Sequence, residues 1–463
     1  MKRTHTLWKT GIFNILFQVL FLAVLYLAGR DVAPNLSGTR EILFDVGIVL
    51  IPCAVWCFFF YLQDRVEPEP TQYVLVSVFV GMALARVIGI PIERNLGRVD
   101  TWLYTSTGSL ILGSVFFVGT LHSALFYLGI RYGFYPAREF DEPVDGVAYG
   151  AFIGSGYAAA QSITYLLAHR GMTLFAVGYI ATTNVLIYAS IAALVGLFVG
   201  KAKFGRKPRQ LYFIAGFVLS SLLGGLYQYL TDFVLVRGDG SGFLLSFVLT
   251  LVFACVILAV VCAEMRKLTS EPVPQPNQHG NLRPDWLVLA VIVLFFAVGG
   301  ITRANARGGA EFRSEKYKIA FHYPHTLMPS SSEKFIRILD DSIFAEEKLG
   351  ASGDFKSQFA LAVRTGGVNL DALDPLAYIA AADQPLSTIQ KEKITVGGLP
   401  GLRLQYSYLH SPRGKWSPEL ILACIDVVPK DGRTYIFSFR ASRQSLDTDM
   451  PKYEAILSSV SWN

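Results

Sequence analysis

Cysteines that could staple this fold or build a metal centre are missing. The chain has 5 in 463 residues. Cys53, Cys57, Cys255 and Cys262 fall inside long apolar runs, where a thiol behaves as a small apolar group. Cys424 stands alone in a more polar C-terminal region and has no partner there for an intradomain bridge. Cys53 and Cys57 are one helical turn apart, but no second ligand pair with loop spacing accompanies them, so packing is expected rather than metal. A removable leader is not expected. The first apolar run is too long and lacks a small-residue cleavage site, so it is expected to be retained. No internal repeat is evident. A nucleic-acid partner is not called for either, because basic loops beside anionic lipid account for a net charge of +6.

What the chain has in abundance is apolar sequence. The hydrophobic fraction is 52% and the mean hydropathy +0.42, too high for an ordinary soluble protein. About nine runs reach the length that crosses a bilayer: 11–29, 43–62, 73–92, 107–130, 146–167, 173–199, 211–235, 242–264 and 286–302. Loop lysines and arginines concentrate on one side, led by Lys201, Lys203, Arg206, Lys207 and Arg209, which places the N-terminus in the cytoplasm and the C-terminus outside. Residues 268–285 are rich in proline and polar residues and read as a connector between the last two helices. Beyond Arg303 charges become frequent and apolar runs shorten. Alternating segments at Tyr317–His322, Ser342–Ala345, Phe359–Val363, Leu402–Tyr408, Leu420–Val428 and Thr434–Arg440 predict strands, and Asp371–Ala382 and Met450–Ser458 predict helices. The expected fold is therefore a polytopic α-helical membrane bundle over 1–303, followed by a small extracytoplasmic α+β domain with an antiparallel sheet over 304–463. His322 and His325 flank Tyr323-Pro324 at a strand end and read as surface histidines.

One segment says more than the composition does. FDEPVDGVAYG, from Phe140 to Gly150, runs from an acidic turn into an apolar helix that continues GYAAAQSITY from Gly156 to Tyr165. Gly146, Gly150 and Gly154 recur every fourth residue and line one helix face, where another membrane helix can come backbone-close. Asp145 is placed to cap this helix, which accounts for the Asp-Gly without catalysis. These words resemble the PrsW family of intramembrane proteases, whose members carry a similar FDEP-DG-YG turn followed by GFAALEN-Y. The order YPHTL, GGLPGLRLQYSY, TYIFSFRAS and YEAILSSVSW in the C-terminal part resembles PsbP-like domains, which implies a binding or scaffolding module without catalysis.

The PrsW resemblance implies a site of glutamates and histidines drawn from neighbouring helices, and this chain departs from it at each mapped position. The paired glutamates before FDEP fall on His122 and Ser123, the following glutamate on Gln161, and the two later histidines on Tyr188 and Gly224. Glutamine is no general base near neutral pH, and glycine has no side chain at all. The expectation is a catalytically degenerate homologue, a pseudoprotease of the bacterial cytoplasmic membrane, with no metal and no cofactor. Its partners would be the lipid bilayer and single-span membrane proteins, held through Gly146, Gly150, Gly154, Tyr165 and Arg86. His122 is expected to make an interhelical hydrogen bond, because adjacent residues such as His122 and Ser123 diverge by ~100° around a helix. Arg86, inside an apolar run, needs a partner such as Asp145, Gln161 or a lipid headgroup. An active PrsW-type protease with an altered site is the alternative. A transporter or channel, resting on Arg86 and Asp232, comes last.

Overall fold

Long apolar runs have one stable form in a bilayer, the helix, because every backbone N–H and C=O must be satisfied within the segment. The computed structural model describes residues 4–29, 39–63, 70–103, 107–168, 172–205, 208–237, 242–270, 285–306, 309–324, 327–329, 342–348, 357–379, 385, 389–410, 419–443 and 445–462. Its helices are α1 Thr4–Gly29, α2 Thr39–Gln63, α3 Thr71–Gly97, α4 Gly108–Phe134, α5 Asp145–Ala168, α6 Leu174–Phe204, α7 Arg209–Arg237, α8 Gly242–Ser270 and α9 Trp286–Asn305. Among the described residues, 8 are long and apolar enough to cross a membrane, all except α5. The exception is the buried centre of the bundle, with every residue from Asp145 to Ala160 shielded. The chain is thus a multi-pass membrane protein.

Two compact units divide it: Met1–Val99 with Ile111–Thr302, and Asp100–Leu110 with Arg303–Asn463. In the helical unit, α4 and α6 are interior, 78% and 83% buried over their most apolar windows, against 17–39% for the other spans. The glycine stripe explains how α5 fits between its neighbours. A Cβ on Gly146 would stand 2.3 Å from the Gly196 carbonyl oxygen, and one on Gly150 2.3 Å from that of Ala192. On Gly154 it would stand 2.5 Å from the Tyr188 carbonyl. The stripe is therefore spent on α6 within the chain. The expectation that this face receives a partner is corrected: sequence shows that a helix must pack there but not that the helix is its own. On another face, Gly156 admits α3, whose Val78 carbonyl would lie 2.0 Å from an added Cβ.

Two other expectations change. Arg86 is exposed on the outer surface of α3 and does not enter the bundle to meet Asp145 or Gln161. Asp145 reaches back, its Oδ2 accepting from the Glu142 backbone N–H at 2.6 Å, and so closes the FDEP turn as half of a capping box. The side chain of Asp232 lies outside the described residues.

The buried charges lie elsewhere. Asp285, which immediately precedes α9, is fully buried against fully buried Arg131 of α4, Oδ2 to Nε 2.9 Å. Its other oxygen meets Arg209 at 3.3 Å, and Tyr127 donates to Oδ2 at 3.2 Å. Lys203 is held by carbonyl oxygens, those of Tyr135 at 2.8 Å and Phe140. These residues had read as loop and connector charges. Tertiary packing draws them in because each finds a partner of opposite sign or an orphan carbonyl.

The C-terminal unit is antiparallel throughout. Strands β1 Gly309–Ser314, β2 Ile319–Pro324 and β10 Ser461–Trp462 form one sheet in the order β1-β2-β10. The other sheet is built from β3 Leu327–Pro329, β4 Ser342–Lys348, β5 Gln358–Thr365, β6 Gln390–Val396, β7 Leu399–His410, β8 Glu419–Lys430 and β9 Arg433–Ser442, in the order β3-β4-β5-β9-β8-β7-β6. Helix α10, Leu446–Ser458, packs Tyr453, Ile456 and Leu457 with Phe359, Phe437 and Phe439. Gly397 and Gly398, at φ +54° and +81°, form the two-residue turn between β6 and β7, a conformation costly for residues with a Cβ. The helix expected at Asp371–Ala382 is instead two short 3₁₀ turns, Leu370–Ala372 and Pro375–Tyr378, split by Asp374-Pro375. His322 is exposed, and His325 lies outside the described residues.

Candidate functional site

Helices α3 and α4 are not regular. Each contains π-helical turns, Leu84–Gly89 and Ile92–Gly97 in α3, and Ser114–Gly119 and Gly129–Phe134 in α4. Such turns insert residues into the helical repeat, rotate the face that follows, and recur at functional sites. Glu93 lies in the second of them and His122 just beyond the third. His122 Nε2 stands 2.8 Å from Glu93 Oε1. The approach is close but makes no aligned ring N–H hydrogen bond, and Nε2 is shielded from solvent.

Three aromatic rings box the pair. The His122 ring is 5.0 Å from that of Tyr188 and 5.4 Å from that of Tyr157, both edge to face, and the two tyrosine rings are 5.1 Å apart. Phe126 closes a further side against Tyr157 at 5.2 Å. Tyr157 fits because of Gly89: a Cβ there would stand 2.3 Å from its hydroxyl. Gln161, half-buried one turn along α5, lies beside the same hydroxyl.

Next to this cluster is a cavity of about 150 Å³. His122, Ser123, Tyr188 and Gly224 line it, with hydroxyls and amides from Thr183, Asn184, Tyr227, Gln228, Thr231 and Ser246. Four of the five mapped positions therefore share one cavity, and the fifth, Gln161, sits behind Tyr157. Asn184 donates to Ser162 Oγ at 3.0 Å, tying α6 to α5 at the cavity wall. Tyr165 is half-buried and not part of the lining. Glu93 is an acid that the mapped positions do not include. The sequence reading ended its third helix at residue 92; the π turns carry the helix on to Gly97 and swing Glu93 inward.

The fold and site define a polytopic helical membrane protein in which a half-buried acid meets a buried imidazole beside a partly polar cavity. The comparisons make that class specific. Residues 69–261 match the PrsW family of intramembrane metalloproteases. Protease PrsW of Bacillus subtilis is 32% identical over 178 residues, covering 37% of this chain and 75% of that protein. Protease PrsW of Geobacillus kaustophilus is 30% identical over 172 residues, 37% of this chain and 72% of that one. The chain belongs to the PrsW family. Among solved structures, it is similar over 34% of its length to cyanobacterial PsbP from Synechocystis sp. PCC 6803, at 14% identity, 94% coverage of that chain and a TM-score of 0.22. LpqN of Mycobacterium tuberculosis, involved in cell envelope biogenesis, is similar over 33% of this chain and 84% of that one, at 18% identity and a TM-score of 0.22.

A metalloprotease needs a donor set. Catalytic zinc is held by three protein ligands drawn from His, Cys, Asp and Glu, with a fourth position left for water. Here Glu93 and His122 are two, and among the described residues no group of three such side chains comes together. The surrounding groups are phenols, hydroxyls and amides, weak ligands for such an ion. The described residues do not fit the metal ion that a metalloprotease requires.

Proposed function

We propose that this chain is a catalytically degenerate PrsW-family protein that holds a segment of another membrane protein at the α4–α6–α7–α8 cavity, without metal-dependent cleavage. The observation that carries this reading is the cavity itself. Four of the five mapped positions line it, yet its described lining is a mix of apolar residues such as Ile187 and Ile191 with neutral hydroxyls and amides, and the described residues place one acid, Glu93, and one imidazole, His122, beside it. Such a lining suits the peptide groups of a partner, which need hydrogen bonds inside a bilayer. The orientation that goes with this reading puts the N-terminus and the Lys201–Arg209 loop in the cytoplasm, and the unit ending at Asn463 outside. A photo-crosslinker at Gly224 or Ile187, both cavity-lining, is expected to trap a membrane protein, while one at exposed Val87 is not. Trapping of lipid alone at all three positions would end the partner-holding reading.

A second reading, cleavage by an altered site, draws on the Glu93–His122 pair beside the cavity. Purified protein incubated with membrane-spanning substrates is expected to leave them intact. Cleavage that persists in a chelator and disappears in Glu93→Gln would replace the first reading with the second.

A further inference from the structure

We propose that the Glu93–His122–Tyr188 cluster is a metal site one donor short, in which the imidazole of His122 meets the Glu93 carboxylate where a metalloenzyme would meet it with a cation. This rests on the metal-independent reading above and adds which donor the site lacks. Two ligands of a tetrahedral zinc, each at about 2.0–2.1 Å, lie roughly 3.3 Å apart. Glu93 Oε1 and His122 Nε2 are 2.8 Å apart, so a shift of about half an ångström would admit an ion between them. The third position is also recognisable. Two imidazoles on one tetrahedral ion hold their ring centres about 5 Å apart. The Tyr188 ring centre is 5.0 Å from that of His122, and its plane is turned 83° to it. The spacing is also that of an ordinary edge-to-face pair, and the ring that holds it is a phenol rather than an imidazole. The open fourth position has its counterpart in the adjoining cavity, which His122 and Tyr188 both line.

At 2.8 Å the carboxylate and imidazole are closer than two ligands of one ion, and the rings of Tyr157 and Tyr188 pack edge-on against His122. One substitution should complete the site. Tyr188→His supplies a third nitrogen donor on a side chain smaller than the phenol it replaces.

The test uses the full-length protein in detergent, loaded with zinc or cobalt(II), passed over a desalting column, and assayed for bound metal by mass spectrometry and for tetrahedral cobalt by visible absorption. The wild-type chain and Tyr188→Phe are expected to retain no stoichiometric metal. Tyr188→His is expected to retain about one ion per chain, with the intense visible bands of tetrahedral cobalt. Combining it with Glu93→Gln should abolish retention. Stoichiometric zinc in the wild type that is lost in Glu93→Gln would overturn the proposal, because the site would then be intact. A Tyr188→His protein that elutes and melts like wild type but binds no metal would overturn it as well, because the third position would be misplaced. Partner trapping at Gly224 is read separately, so failure there leaves the metal result standing, and the reverse.

Discussion

At the residue scale, burial decides which reactive groups are available. Cys424 on β8 is fully buried, and burial, with Asp426 close by, pushes its thiol up to about 12. Since the thiolate is the species that reacts, a maleimide near neutral pH should leave Cys424 unmodified in the folded protein. Labelling of its peptide, followed by mass spectrometry, should appear only with denaturant. Beside it, Arg403 makes a two-pronged contact with Asp426, both bonds 2.8 Å, and Tyr453 donates to the same carboxylate at 2.7 Å. Burial pulls the Arg403 guanidinium down, but the hydrogen bonds it donates to Asp426 and Glu454 outweigh it and hold the group firmly charged. Tyr453→Phe removes one bond to a charged acceptor and should cost about 1.5–3 kcal/mol, read as a lowered midpoint for the C-terminal unit's denaturation. None of this pairing was legible in the sequence. β7 and β8 alternate as ordinary half-buried strands, and only their register sets Arg403 opposite Asp426.

At the scale of elements, the helices are held by close approach and by buried charge. Gly150→Leu would drive a side chain into the Ala192 backbone, where even a Cβ stands at 2.3 Å. Overpacking of this kind costs about 1–3 kcal/mol or more, so the substitution should lower the melting temperature in detergent, while the same change at exposed Val87 should not. Asp285 fastens the start of α9 to α4. Asp285→Ala would leave Arg131 buried without its carboxylate and should cost about 3–5 kcal/mol. Adding Arg131→Met should recover most of that loss, since an apolar pair of similar volume is tolerated where a lone buried charge is not. Melting curves that show no recovery in the double variant would mean the pair does more than neutralise itself. The glycine spacing made a close helix contact foreseeable. That α6 fills it, through Gly196 and Gly200, was not, because a small-residue stripe is the same whether its partner lies in this chain or another.

At the scale of the whole molecule, the sequence by itself determined the bilayer, the division into a helical part and a sheet-rich part, and the family. Those follow from run length, period and a contiguous motif, all local properties that survive without knowledge of contacts. The strands it marked from Leu402 to Arg440 are present as β7, β8 and β9, because a short apolar run is also a local property, although β9 is buried on both faces. Tertiary structure alone decided what surrounds His122. Glu93 is separated from it by nearly thirty positions and by two π turns, each of which breaks the count by which a helix face is read from sequence. It alone decided that Arg131, Lys203 and Asp285 are interior and Arg86 exterior, since a charge enters a bundle only where its counter-charge or an orphan carbonyl is already waiting. Hydropathy measures the cost of burying a group; the compensating partner is set by the fold.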